Sequence, residues 1–209
     1  MRPDRQIVVG LTGNLGAGKS TVGRIVGELG ARVIDSDQTV RDLLANDPEL
    51  AASIQRTFGA EVMLDGRPDR AALARVVFDD PAELARLEDV IHPRVGERTA
   101  ELLAEPTDAP ATIIEAIKIV EGPNVDRLDA LWLVTATPKV QIERATASGR
   151  ISAAEARRRL ALQSSPDDKE RLFRARRPGR PVWRIDNRAN LNALEGRVAA
   201  VWQQTLELC

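Results

Sequence analysis

The 209-residue sequence predicts an α/β fold, three layers deep, around a central parallel sheet. Three observations carry this. A short apolar, β-branched run at residues 6–12 ends in a glycine-rich loop, and a helical apolar pattern and a second apolar run follow at once. Further buried-strand runs return at residues 111–116, 130–136 and 182–186, separated by helical patterns. Between residues 38 and 105 the pattern is helical, which reads as an insertion between strands within one domain.

Each element follows from its local pattern. Residues 6–12 are the first strand. Residues 19–29 place Val22, Ile25, Val26 and Leu29 on one helical face, and Gly30 suits the C-terminal cap. Residues 32–35 are the second strand, which completes a β-α-β unit. In the insertion, apolar residues recur at Val40, Leu43 and Leu44, at Ile54 and Phe58, at Leu73, Val76 and Val77, and at Leu84, Leu87, Val90 and Ile91. Residues 46–48, 65–68 and 79–81 are the turns between them. Thr137 caps a helix over 138–148 that has Pro138 at its first position. Residues 151–162 form a second, basic helix. Residues 174–181, rich in Arg, Gly and Pro, read as a linker. Residues 191–208 close the chain, with Leu194, Val198, Val201 and Leu206 inward.

Composition excludes several classes of function. Thirty Lys and Arg against thirty-one Asp and Glu leave a net charge of −1, which argues against a general nucleic-acid binder. Three Phe, three Trp and no Tyr leave little for stacking on bases. The single Cys, Cys209, and the single His, His92, exclude an internal disulfide, a cysteine zinc site and a multi-histidine metal site. The first residues lack an apolar signal core and no run approaches 18 apolar residues, so a cytoplasmic protein without a membrane partner is expected.

The chemistry begins in the loop. Gly13, Asn14, Leu15, Gly16, Ala17, Gly18, Lys19 and Ser20 fit G-x-x-x-x-G-K-[ST] in full. Glycines let backbone N–H groups wrap phosphate oxygens, and the helix that starts there adds its positive end. Lys19 would reach the β- and γ-phosphates of ATP, and the Ser20 hydroxyl would ligate Mg2+. None of the four lysines sits in an Asn-Lys-x-Asp guanine reader, which disfavours a GTPase.

Two further features suggest a kinase. Residues 150–184 hold eleven basic and four acidic residues, a local excess of seven, leaving −8 for the rest of the chain. Such a segment reads as a basic lid that closes over transferring phosphate, or as a solvated face in an Arg-rich chain. Phosphoryl transfer to a hydroxyl also needs a carboxylate to take its proton. Asp35 and Asp37 follow the second strand, at the carboxyl edge where open parallel sheets bind ligands. Asp37 equally suits the N-cap of the next helix.

At this point the chain resembles the dephospho-CoA kinase family. The resemblance rests on residues 11–21 (LTGNLGAGKST), 33–37 (VIDSD), 69–73 (DRAAL) with Val77 and Phe78, and 87–93 (LEDVIHP). Gln141 to Arg144, Arg150, Gln163 and residues 185–187 (IDN) extend it. It implies a P-loop kinase three-layer fold with a central parallel sheet, a helical substrate-binding insertion at about 38–105 and a basic helical lid at about 144–180. It implies ATP-dependent phosphorylation of the ribose 3′-hydroxyl of dephospho-CoA to give CoA and ADP. Asp37 matches the catalytic carboxylate, and Arg144 and Arg150 match lid residues that meet the ATP phosphates. Residues 13–21, through Thr21, match the nucleotide loop, and Asn187 lies where adenine contacts are expected. Arg70, His92 and Lys118 fall on the acceptor side, although His92 before Pro93 also reads as a structural turn residue. The chain departs from the family at Asn14, a glycine there, at 117–121, where Lys118 replaces an apolar Pro-Leu-Leu stretch, and at 177–183. Lys118 is open to pairing with Glu115, to a substrate group, or to snorkelling from a strand end. A kinase for a nucleotide or sugar, and a nucleotide-binding paralogue without catalysis, remain the alternatives. A monomer or weak homo-oligomer is expected.

Overall fold

A computed structural model describes residues 6–77, 80–149 and 151–208. β1 (Ile7–Thr12) is buried at every position, as a central strand covered on both faces requires. α1 (Lys19–Glu28) follows, then β2 (Arg32–Asp35). After the insertion come β5 (Ala111–Glu115), β6 (Ala130–Thr135), α6 (Pro138–Thr146), α7 (Ala153–Ala161), α8 (Pro166–Arg176), β7 (Val182–Asp186) and α9 (Leu191–Leu206). The sheet order is β2-β5-β1-β6-β7, with β1 parallel to β5 and β6, and β6 parallel to β7. The carboxyl ends of four strands therefore line one edge, at Thr12, Glu115, Thr135 and Asp186. α1 and α9 pack together, and Val9, Leu11, Val22, Ile113, Trp132, Val198 and Trp202 form the core. The two Trp rings meet edge to face at 6.4 Å, and Trp132 Nε1 donates to Thr205 Oγ1 at 3.1 Å, so its polar atom is satisfied inside.

The chain divides into two compact units, Met1–Ile34 with Pro106–Cys209, and Asp35–Glu105. The second unit contains α2 (Ser36–Asn46), α3 (Pro48–Phe58), a short hairpin of β3 (Met63–Leu64) and β4 (Arg67–Pro68), α4 (Arg70–Val77) and α5 (Pro81–Ala104). Its own core is Leu50, Ile54, Phe58, Val62, Leu73 and Ile91. The hairpin turns on Asp65 and Gly66, both at positive φ, where only a turn was expected. A larger correction concerns His92. α5 runs unbroken through His92 and Pro93, so His92 is a half-buried mid-helix residue and not a turn residue. An interior Pro costs about 3 kcal/mol, and the packing of α5 against α2, α3 and α4 offsets it.

Asp47 holds this unit together. Its carboxylate caps α3, accepting from the amides of Glu49 and Leu50 at 3.0 Å, and takes two bonds from Arg94 of α5 at 2.8 and 2.6 Å. Its side chain is 7% exposed. Burial pushes the Asp47 carboxyl up, but the Leu50 amide, the Arg94 guanidinium and the Glu49 amide outweigh it and hold the group below its usual range. A depressed carboxylate stabilises the fold fully above its unfolded pKa of about 3.9, and that contribution is lost as pH falls through the lower folded value. Asp47→Asn should therefore cost about 1–3 kcal/mol at neutral pH, the range of hydrogen bonds to a charged group, and the gap from the parent should narrow as pH falls below about 4. Paired thermal melts from pH 7 to 3 test this, and a pH-independent gap would contradict it.

Among the described residues no helix is long and apolar enough to cross a membrane.

Candidate active site

The glycine loop joins the carboxyl end of β1 to α1, as its spacing predicts. At two of its glycines the constraint is plain. A Cβ on Gly16, at φ +70°, would stand 2.1 Å from the Gln141 carbonyl oxygen of α6. A Cβ on Gly18, at φ +99°, would stand 2.1 Å from Asn187 Nδ2. The loop is thus pressed against α6 and the end of β7 with room for hydrogens only. Gly16→Ala should cost about 1–3 kcal/mol, several degrees of melting temperature, and weaken ADP binding. Unchanged melting would show that the loop does not bear on Gln141.

Gly18 is the N-cap of α1 and supplies no side chain, and the first turn holds no acidic residue. The leading amides of α1 and its positive dipole end are left for an anion. Lys19 and Ser20 are the first two helical residues, followed by Thr21. The Ser20 hydroxyl donates to Glu115 Oε1 at 2.8 Å. Glu115 ends β5, is 7% exposed, and stands so close to α1 that a Cβ on Gly23 would meet its Oε2 at 2.9 Å. Glu115 is not among the residues that the loop motif marks; its one signal in the sequence is an acid at the end of a buried strand beside β1. A hydroxyl and a carboxylate together are hard oxygen donors suited to Mg2+, which keeps most of its waters. The glycine cradle and this pair fit a magnesium nucleotide.

The rest of the loop is braced from the far end of the chain. Asn187 is 5% exposed; its Nδ2 donates to the Ala17 carbonyl at 2.8 Å, and its Oδ1 accepts from Arg144 Nη2 at 3.4 Å. Arg144, in the last turn of α6, has Nη1 3.8 Å from the place a Gly18 Cβ would take. The Leu15 amide donates to Gln163 Oε1 at 2.9 Å, and Asn14 Nδ2 donates to the Ser164 carbonyl at 3.2 Å. Asn14 Oδ1 is buried with no hydrogen-bond partner among the described residues. The structure therefore gathers residues 13–21, Arg144, Gln163 and Asn187. Arg150 lies outside the described residues, as does Phe78.

The basic segment needs correction. Most of its charge is paired: Arg158 and Arg159 with Glu155, Arg171 with Asp168, Arg174 with Glu170, Arg184 with Asp167 and Glu170. Lys169, Arg176 and Arg180 find Glu121, Asp126 and Asp129, acids outside the counted window. A run summed along the chain thus overstates the charge left to meet phosphate. Residues 166–176 form α8, with Phe173 fully buried, so the expected linker at 174–181 begins inside a helix. Its next arginine, Arg177, donates to the Asp126 carbonyl at 2.6 Å. Lys118 lies exposed in the turn after β5.

In the helical unit, α2 begins directly after β2. Asp35, not Asp37, is its N-cap, accepting from the Gln38 amide at 3.1 Å. Asp35 has the extended backbone that an N-cap needs, with φ −86° and ψ 108°. Asp37 stands exposed in the first turn, with no hydrogen bond or ion pair among the described residues. Arg70 is exposed at the start of α4. A groove of about 470 Å3 within this unit is lined by Thr39, Asp42, Leu43, Asn46, Arg98 and Leu102, with the Asp47–Arg94 pair at its wall.

Known proteins share this architecture and sequence. The family model for dephospho-CoA kinase (CoaE) matches residues 7–177. The dephospho-CoA kinase of Geobacter metallireducens is 37% identical over 204 residues, covering 96% of this chain and 98% of that protein. The crystal structure of TT1252 from Thermus thermophilus superposes with a TM-score of 0.77 at 32% identity, over 96% of this chain and 98% of that one. A dephospho-CoA kinase from Campylobacter jejuni, at 19% identity and TM-score 0.59, covers 96% and 97% and shares the fold.

Proposed function

The chain belongs to the dephospho-CoA kinase family, whose reaction is the ATP-dependent phosphorylation of dephospho-CoA in coenzyme A biosynthesis, and we propose how its residues divide that work. The enzyme is a kinase that moves the γ-phosphoryl group of ATP to the ribose 3′-hydroxyl of dephospho-CoA, releasing ADP and CoA. The loop amides of residues 13–20 and the open end of α1 bind the phosphates. Lys19 and Arg144 balance charge on the transferring group, where preorganised donors are most effective. Thr21 continues the same first turn. Asn187 acts by holding Ala17 and Arg144 in place beneath the nucleotide. Arg150 joins Arg144 on the lid side by its match to the family motif.

Ser20 and Glu115 would hold Mg2+, which when bound would supply charge neutralisation for the nucleotide phosphates. The observation that carries this reading is the Ser20–Glu115 bond at 2.8 Å beside an acid-free helix start.

Asp37 accepts the proton of the 3′-hydroxyl. Its support is its motif match, its place just beyond β2, and its freedom from capping, which falls to Asp35. The insertion at about 38–105 takes the CoA moiety, with Arg70, His92 and the groove of α2 and α5 on that side; Lys118 contributes from the turn after β5. The mixed amide, carboxylate and apolar lining of the groove suits an amide-bearing arm. The lid spans about 144–180 and moves chiefly through α7, since α8 is anchored. We place the enzyme in the cytoplasm as a monomer or weak homo-oligomer, with no nucleic-acid or membrane partner.

An acceptor panel tests the reading. With ATP and Mg2+, dephospho-CoA should exceed nucleoside monophosphates and free sugars in kcat/KM by several orders of magnitude. Equal turnover of another acceptor would overturn it, and ADP binding without any turnover would indicate a non-catalytic paralogue.

A further inference from the structure

Lys169 is the most deeply buried cation of the described chain, its side chain 1% exposed in the first turns of α8. A buried ammonium is costly unless its donors are satisfied. Here Nζ donates to the Ile117 carbonyl at 2.7 Å and to Glu121 Oε1 at 3.2 Å. The same Ile117 carbonyl accepts from Thr12 Oγ1 at 2.8 Å. Thr12 is the last residue of β1, directly before Gly13, and the Ala116 amide donates to the Leu11 carbonyl beside it at 3.1 Å. Three elements thus meet at one carbonyl: the end of β1, the exit of β5 and α8. Two residues upstream of that carbonyl is Glu115, which holds Ser20. At Ile117 the path of the β5 exit is thus set from outside by Lys169.

We propose that Lys169 is a positioning residue: its ammonium, clamped by Glu121, fixes the β5 exit so that Glu115 and Ser20 stay in register for a divalent cation. It contributes geometry at the metal side of the site and no charge to the lid. The inference rests on the reading of Glu115 and Ser20 as magnesium donors. A shift of about 1 Å in such a support is enough to impair a site by 10²-fold, and loss of an outer support typically weakens metal binding by about 10–100-fold.

The test is equilibrium binding of ADP to the full chain over a range of Mg2+, for the parent, Lys169→Met, Glu121→Gln and Glu115→Gln, with melting temperatures alongside. Lys169→Met should bind ADP normally without Mg2+ and need about 10-fold more Mg2+ to reach half of the metal-dependent gain. Glu121→Gln should shift in the same direction by less, because its side chain is 28% exposed and water can replace the bond. Glu121→Gln decides the matter if Lys169→Met fails to fold. Parental Mg2+ dependence in whichever variant folds, or an equal loss of ADP binding with and without Mg2+, overturns the proposal. Parental Mg2+ dependence in Glu115→Gln overturns the magnesium reading with it, whereas a defect in Glu115→Gln alone removes only the role of Lys169.

Discussion

Replacing Asp37 by Asn should lower kcat by about 10²–10⁴-fold, the range of a lost general base, while ADP affinity and melting temperature stay near those of the parent. The structure makes this separation clean. Asp37 is exposed and carries no hydrogen bond or ion pair among the described residues, so its charge can be removed without unpairing a neighbour. The cap of α2 belongs to Asp35, through the Gln38 amide, and survives the change. Asn keeps the shape of the side chain and loses the negative charge together with the capacity to take a proton. Steady-state kinetics with saturating ATP and dephospho-CoA, an ADP titration and a melting curve together check it. A normal kcat would remove Asp37 from the mechanism, and a fall in melting temperature would return it to a structural part.

Lys19→Ala should behave differently, cutting kcat/KM for ATP by about 10³-fold or more and weakening ADP binding as well. Lys19 opens α1 where the helix start carries no acidic residue; in the proposed role its ammonium would meet phosphate charge in both the ground state and the transition state. Loss of turnover with unchanged nucleotide affinity would show that Lys19 acts only in the transition state. The contrast with Asp37 matters: one variant fails before the acceptor arrives, the other only after it.

The nucleotide half of the site was legible because its chemistry is local. Eight contiguous residues specify the loop, and the glycines are explained by contacts that a Cβ would violate. The sheet was legible for the same reason, each strand being a short apolar run between turns. What escaped was set by partners distant in sequence. Glu115 meets Ser20 across 95 positions, and Lys169 meets Ile117 across 52. Neither bond leaves a pattern in one sequence, and a charge count placed Lys169 among the lid residues. α8 was missed although Ser165 and Pro166 give it an N-cap and a first-position proline, because eight of its eleven residues are polar or charged, or proline, and its apolar stripe is thin. His92 read as a turn residue because a proline follows it; only the tertiary packing of α5 reveals a continuous helix there. The sequence offers Asp37 as the cap of α2; that the cap falls to Asp35 instead rests on backbone dihedrals that spacing does not encode.

The most direct measurement follows the label from [γ-32P]ATP in the presence of Mg2+ and dephospho-CoA, with the product identified by its position of phosphorylation. Label is expected on the ribose 3′-oxygen, with ADP in equal amount, and transfer slowed by Asp37→Asn without loss of bound ADP. Label released as free phosphate, label at another hydroxyl, or undiminished transfer in Asp37→Asn would contradict it.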